Sequence, residues 1–186
     1  SIASFDTVDL GGGFPVLPDG QPAPSVGRFA RELPALLAAV PADRRPTRLA
    51  VEPGRALVAR AGWLVARVLH DRERGGRQVV LDAGMTELIR PALYGARHPI
   101  RALVDRPGDP APTRVEGPVC ESTDTLGTHD LPPLRRGDLV AIADAGAYAA
   151  SLGSTYNGRP RPPQVLLHAD GRLESGRRRG TLAGPG

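Results

Sequence analysis

Lysine is absent: all 24 basic residues among the 186 are arginine. Any reaction that needs a lysine amine, an internal Schiff base included, therefore cannot be completed by this chain alone. Cysteine is almost absent too. The single thiol, Cys120, excludes an internal disulfide framework and any cysteine-rich zinc module. Aromatic residues make up 4% of the chain, too few for a base-stacking surface. The arginines are scattered among 20 acidic residues, and only Arg177-Arg178-Arg179 forms a run. The net charge of +4 thus reads as a solvated arginine surface, with no nucleic-acid partner expected. No stretch approaches the roughly 20 apolar residues of a membrane span. The polar start Ser1-Ile2-Ala3-Ser4-Phe5-Asp6 is no signal peptide. A soluble, cytoplasmic protein is the expectation.

What is present suits a globular fold. Apolar residues at 40% can build a core, and 23 glycines with 20 prolines punctuate it into short elements. Thr7-Val8-Asp9-Leu10 reads as a buried strand running straight into Gly11-Gly12-Gly13. Ser25 is an N-cap for a helix with apolar positions Val26, Phe29, Leu33, Leu36, Leu37 and Val40, kinked at Pro34. Arg48-Leu49-Ala50-Val51 is a second strand, ended by Glu52-Pro53-Gly54-Arg55. Strand, helix, strand is a parallel β-α-β unit over residues 1–55, which alone cannot close any α/β architecture.

From about residue 56 the texture changes. Segments 64–69 and 78–82 flank Arg74-Gly75-Gly76-Arg77, a hairpin signal. A short helix is expected over 88–94, with Pro91 awkward in its middle. Further strands are expected at 100–104, 113–117, 138–143 and 164–168, with a final turn at Asp170-Gly171. Short strands between turn signals predict a mostly antiparallel β sandwich or barrel over 56–175. Residues 176–186 are expected to be a flexible tail.

Several clusters carry chemistry, each with a plain alternative. Gly11-Gly12-Gly13 can offer backbone N–H groups to a phosphate, or be an ordinary loop. It is not G-x-G-x-x-G, because Phe14-Pro15-Val16 follows. Glu52-Pro53-Gly54-Arg55 sets a carboxylate and a guanidinium at the same sheet end as the glycines. Cys120-Glu121 follows the Gly117-Pro118 break, which suits a loop; a lone cysteine is by itself more often a small buried hydrophobe. Arg90 and Tyr94, four apart on a helix, could clamp one carboxylate or simply lie at the surface. Tyr148 and Tyr156 could flank a ligand or pack. The histidines at 70, 98, 129 and 168 lack metal-ligand spacing, so no metal is expected.

Five segments in order carry a resemblance: Asp9-Leu10-Gly11-Gly12-Gly13-Phe14, Glu52-Pro53-Gly54-Arg55, Asp82-Ala83-Gly84-Met85 through Ile89-Arg90-Pro91-Ala92-Leu93-Tyr94, Gly117-Pro118-Val119-Cys120-Glu121-Ser122-Thr123-Asp124, and Gly146-Ala147-Tyr148. Over residues 5–170 they resemble the pyridoxal-phosphate decarboxylases of the alanine-racemase-like fold (fold type III), and among these the diaminopimelate decarboxylases. The resemblance implies the last βαβ part of a cofactor-binding (β/α)8 barrel at 1–55, followed by the C-terminal β domain. It implies that the cofactor lysine lies in a missing N-terminal barrel segment, so the chain is not expected to act alone.

The resemblance also implies roles. Gly11, Gly12, Gly13, Glu52, Pro53, Gly54 and Arg55 would hold pyridoxal phosphate, with Glu52 at the pyridinium nitrogen. Arg55, Arg90 and Tyr94 would bind the distal end of an amino-acid substrate, and Tyr148 would contact cofactor and substrate. Cys120 and Glu121 would reach the site of a neighbouring subunit, Cys120 as proton donor and Glu121 as reader of the distal amino group, making a homodimer obligatory. Ile89-Arg90-Pro91-Ala92-Leu93-Tyr94 with Cys120-Glu121-Ser122 favours meso-diaminopimelate, converted to L-lysine and carbon dioxide. Phe14-Pro15-Val16 and Ala149-Ala150-Ser151-Leu152 depart from that pattern. They keep open another substrate (ornithine, arginine or a carrier-bound amino acid), or a non-catalytic homologue serving assembly.

Overall fold

The structure, a computed structural model, describes residues 6–17 and 21–181. Positions 18–20 of the Pro/Gly-rich loop, and the chain ends at 1–5 and 182–186, lie outside the described residues. Strands β1 (Thr7–Asp9) and β2 (Arg48–Ala50) pair in parallel, Val8 opposite Leu49. Helix α1 (Val26–Ala38) connects them. Ser25 caps it as expected, its Oγ accepting the Arg28 N–H at 3.0 Å. Pro34 sits inside the helix, where it removes one intrahelical donor. No residue of α1 is buried, and Val8, Leu10, Leu36 and Leu49 are all exposed.

Helix α2 (Gly54–Val58) and a 3-10 turn at Ala59–Ala61 lead into the larger body. Its six-stranded sheet has the order β5-β8-β3-β4-β6-β7. Strand β3 (Leu64–Glu73) organises it. A bulge between Val68 and His70 bends this strand, so its first half pairs with β8 (Leu139–Ile142) and its second with β4 (Arg77–Leu81). Strand β4 pairs in parallel with β6 (Ala111–Glu116). Every other pairing is antiparallel, including β6 with β7 (Thr125–Leu131) and β5 (Ile100–Ala102) with β8. The outer strands β5 and β7 touch, so the mixed sheet nearly closes. Val68, Leu81, Leu88, Val115 and Ile142 have no exposed surface. Each contributes about 1.5–3 kcal/mol by leaving water.

The parallel step from β4 to β6 needs a crossover, and helix α3 (Arg90–Tyr94) lies within it. The helix starts two residues later than the sequence pattern predicts. Pro91 therefore stands in the first turn, where its missing N–H costs nothing, and is not awkward at all. Gly95 closes the helix with φ 61°. Strand β7 is absent from the sequence reading, because Gly127 and three polar residues break its alternation. After the short helix α4 (Ala149–Leu152), strands β9 (Gln164–Leu167) and β10 (Leu173–Arg177) form a separate hairpin. The stretch read as a tail from 176 thus begins inside a strand, and the Gly180 N–H donates to the Arg161 carbonyl at 3.0 Å.

Candidate functional site

The exits of β1 and β2 lie against each other. The Glu52 N–H donates to the Gly11 carbonyl at 2.8 Å, and a Cβ on Gly12 would stand 2.9 Å from the Glu52 carbonyl oxygen. Gly11 and Gly13 have φ of 72° and 85°, a region that L side chains rarely adopt. The triple glycine is thus required by backbone geometry, and its bare main chain forms one wall of a cavity of about 170 Å³. Gly12, Gly13, Phe14, Glu52, Pro53, Gly54, Arg55 and Tyr148 line it.

Tyr148 comes from the other part of the chain, and two glycines bring it there. A Cβ on Gly146 would overlap the Val58 carbonyl, and one on Gly62 would overlap the Gly146 main chain. Two hydrogen bonds join the segments, Ala145 N–H to Gly62 O at 3.0 Å and Gly146 N–H to Ala59 O at 2.9 Å. Tyr148 itself has φ 69°, a strained conformation for a non-glycine residue. The Arg90 guanidinium carbon lies 5.5 Å from its ring centre, a cation–π distance. Arg90 Nη1 also lies 3.5 Å from His98 Nε2, while His98 Nδ1 is 3.0 Å from the Ala143 carbonyl. Burial, with Arg90 as a further cause, holds the His98 ring below its ordinary pKa.

Cys120 and Glu121 are presented elsewhere, on a loop that Asp124 organises. Its buried carboxylate accepts the Met85 N–H at 2.6 Å and the Val119 N–H at 2.7 Å. A Cβ on Gly84 or Gly117 would run into that carboxylate, which explains both glycines. Cys120 is exposed, so the alternative of a buried small hydrophobe is set aside. The Tyr156 hydroxyl donates to Glu121 Oε1 at 2.6 Å, which raises the phenol pKa.

The structure therefore brings together Gly12, Gly13, Glu52, Pro53, Gly54, Arg55 and Tyr148, with Gly11 adjoining and Arg90 reached through Tyr148. It does not bring Tyr94, Cys120 or Glu121 to that cavity; Tyr94 is 67% exposed, and Arg90 faces Tyr148 and His98 instead. His98, Asp124 and Tyr156 are neighbours of site residues that spacing did not single out for these contacts. A larger cavity of about 350 Å³ at the β3–β4 turn is lined by Arg72, Arg74, Arg77 and Arg114. There Arg72 and Arg114 share Glu116, and Arg77 is occupied by the Leu131 and Pro132 carbonyls, so three of these four arginines are engaged within the chain. Among the described residues no helix is long and apolar enough to cross a membrane, and no cluster of three potential ligands could hold a metal.

The residues present fit pyridoxal phosphate. Among the described residues Arg55 Nε is buried without a partner, the main chain of Gly12 and Gly13 is bare of side chains, and the Glu52 carboxylate lines the same cavity. Comparison with known proteins points the same way. Residues 7–146 match the family described as pyridoxal-dependent decarboxylase, C-terminal sheet domain. A diaminopimelate decarboxylase of Deinococcus radiodurans is 50% identical over 117 residues, covering 62% of this chain and 31% of its own. The crystal structure of the Helicobacter pylori diaminopimelate decarboxylase complexed with L-lysine superposes with a TM-score of 0.82 at 36% identity, over 95% of this chain and 42% of that one. A lysine/ornithine decarboxylase of Vibrio vulnificus complexed with cadaverine gives 0.68 at 32% identity, over 82% and 41%. This chain spans less than half the length of these relatives. It belongs to the pyridoxal-dependent decarboxylase family, carries that family's C-terminal sheet domain, and is diaminopimelate decarboxylase-like in both sequence and fold.

Proposed function

We propose that the chain is the C-terminal portion of a pyridoxal-phosphate-dependent decarboxylase that converts meso-diaminopimelate to L-lysine and carbon dioxide. The observation that carries the reading is the cavity itself. Two strand exits and a tyrosine from a distant segment converge on one space holding a carboxylate and a buried, partnerless guanidinium nitrogen. In this reading residues 1–55 complete a (β/α)8 barrel supplied mainly by another segment, and the β domain begins at 56 and runs at least through strand β10. The enzyme is a cytoplasmic homodimer.

Bound pyridoxal phosphate supplies an electron sink for the pair left on Cα when carbon dioxide departs. The main-chain N–H groups of Gly12 and Gly13 would hold its phosphate, with Gly11 fixing the turn, its own N–H donating to Asp9 Oδ1 at 2.8 Å. The Glu52 carboxylate would meet the ring nitrogen and keep it protonated, while Pro53 and Gly54 shape the wall beside it. Arg55, whose unpartnered Nε belongs to the lining of the cofactor's cavity, would hold the cofactor and, with Arg90 and Tyr94, take the distal end of the substrate, where a guanidinium's paired donors match a carboxylate. Tyr148 packs against cofactor and substrate. From the neighbouring subunit, Cys120 delivers its thiol proton to Cα and Glu121 accepts the distal ammonium.

The higher structural similarity to the diaminopimelate enzyme than to the lysine/ornithine enzyme supports this substrate. The test joins this chain to an N-terminal barrel segment carrying the cofactor lysine, and follows cofactor absorbance and carbon dioxide release from meso-diaminopimelate, ornithine and arginine. Cys120→Ala is expected to lower kcat by about 10²–10⁴-fold while cofactor absorbance is retained. Turnover confined to ornithine or arginine would replace the substrate. A folded complex that takes up no cofactor would leave the non-catalytic reading.

A further inference from the structure

His98 has no place in the machinery just described, yet it touches Arg90, which does. Its side chain is 2% exposed, among the largest fully buried ones. A buried imidazole needs partners on both nitrogens. On one side the partner is the Ala143 carbonyl, which can only accept. Nδ1 therefore carries the proton, and Nε2 is left with a lone pair. On that side stands Arg90 Nη1, a group that can only donate. The tautomer follows from the two partners alone.

The main chain holds this arrangement in register. The Ala143 N–H donates to the Pro99 carbonyl at 2.8 Å, so the residue after His98 is locked to the segment that leads to Tyr148. Arg90 is consequently bracketed, with the Tyr148 ring on one side at 5.5 Å and His98 on the other at 3.5 Å. One N–H is directed at His98, and the remaining donors of the guanidinium stay available for a planar anion. The long Nη1–Nε2 distance leaves room for adjustment when a ligand engages.

We infer that His98 is a positioning residue for substrate recognition: its Nε2 accepts from Arg90 and aims the guanidinium at the distal carboxylate of the amino-acid substrate. This rests on the proposed role of Arg90 at the substrate's distal end. Decarboxylation at one end of a symmetrical diamino dicarboxylate leaves the other α-amino-carboxylate intact. L-Lysine therefore reports on the distal site, while cadaverine lacks that carboxylate and does not.

The complete enzyme carrying His98→Asn or His98→Gln tests this by calorimetric titration with L-lysine and with cadaverine. Asparagine places an amide nitrogen near Nδ1, keeping the Ala143 bond and losing the acceptor toward Arg90. Glutamine places an amide oxygen near Nε2, keeping that acceptor and losing the Ala143 bond. His98→Asn is expected to weaken L-lysine about tenfold and leave cadaverine unchanged, with His98→Gln recovering most of the loss. Unchanged lysine binding in His98→Asn overturns the proposal. So does equal weakening of both ligands, which marks a merely structural residue, or a glutamine variant worse than the asparagine one. Arg90→Ala is the control for the underlying reading. If it leaves lysine binding intact, Arg90 does not meet the carboxylate, and the proposal falls with the assignment beneath it.

Discussion

His98 makes the stability of the protein pH-dependent in a calculable sense. Its ordinary pKa near 6.5 is lowered in the fold, first by burial and then by Arg90, while the Ala143 hydrogen bond and Asp144 act in the opposite direction. The unfolded chain therefore takes up the proton first as pH falls. Stability is full above about pH 6.5, is lost as pH drops through the folded value, and levels off below it. Denaturant midpoints between about pH 8 and pH 5 should show this slope in the wild-type enzyme and a shallower one in His98→Asn. Nothing in the spacing of His98 announces this. Its eight-residue offset from Arg90 acquires meaning only because Gly95 reverses the chain between them. Cys120 and Glu121 were legible as a loop pair after a Gly-Pro break, but the exposure of the thiol was not, since a lone cysteine is more often buried. The buried carboxylate of Asp124 beneath them was not, since an aspartate near a turn has many surface roles and few buried ones.

The β3–β4 hairpin shows what an element can reveal in advance. Arg74-Gly75-Gly76-Arg77 marks the turn correctly because two adjacent glycines permit backbone angles that other residues avoid. Gly75 has φ 65° and Gly76 φ 129°. The two positions are not equivalent. Asparagine at 75 can adopt the left-handed conformation, whereas any side chain at 76 is strained. Gly76→Val is expected to destabilise the protein by about 1–3 kcal/mol, and Gly75→Asn by well under 1 kcal/mol, measured by chemical denaturation. Strands β3, β4 and β8 were legible from their apolar runs. Strand β7 was not, because its inward positions Leu126, His129 and Leu131 follow no simple alternation and one of them is a histidine.

At the scale of the molecule, the two parts differ in how they satisfy their apolar residues. The six-stranded sheet encloses a contiguous core, while the β1–α1–β2 unit leaves Val8, Leu10, Leu36 and Leu49 exposed, with Leu57 close by at 71%. That unit reads from sequence as a piece of a parallel architecture, and an exposed apolar face is what such a piece presents without its neighbours. The chain by itself is expected to bind a hydrophobic dye such as ANS strongly. Adding the N-terminal barrel segment should quench most of that fluorescence, and undiminished dye binding by the complex would count against the barrel assignment.

The seam between the segment that follows α2 and the segment that leads to Tyr148 is made of main chain. Gly146 lies against the Val58 carbonyl and Gly62 against Gly146, with no side chain interposed. Neither position can be enlarged by itself, because the other contributes nothing that could be trimmed in return. Chimeras that exchange the sheet body between related enzymes must inherit both glycines together. A recombination point between residues 62 and 146 that brings in a larger residue at either end would pry Tyr148 from its cavity while leaving each half correctly folded. The seam is thus a compatibility lock on domain shuffling, written in two residues 84 positions apart.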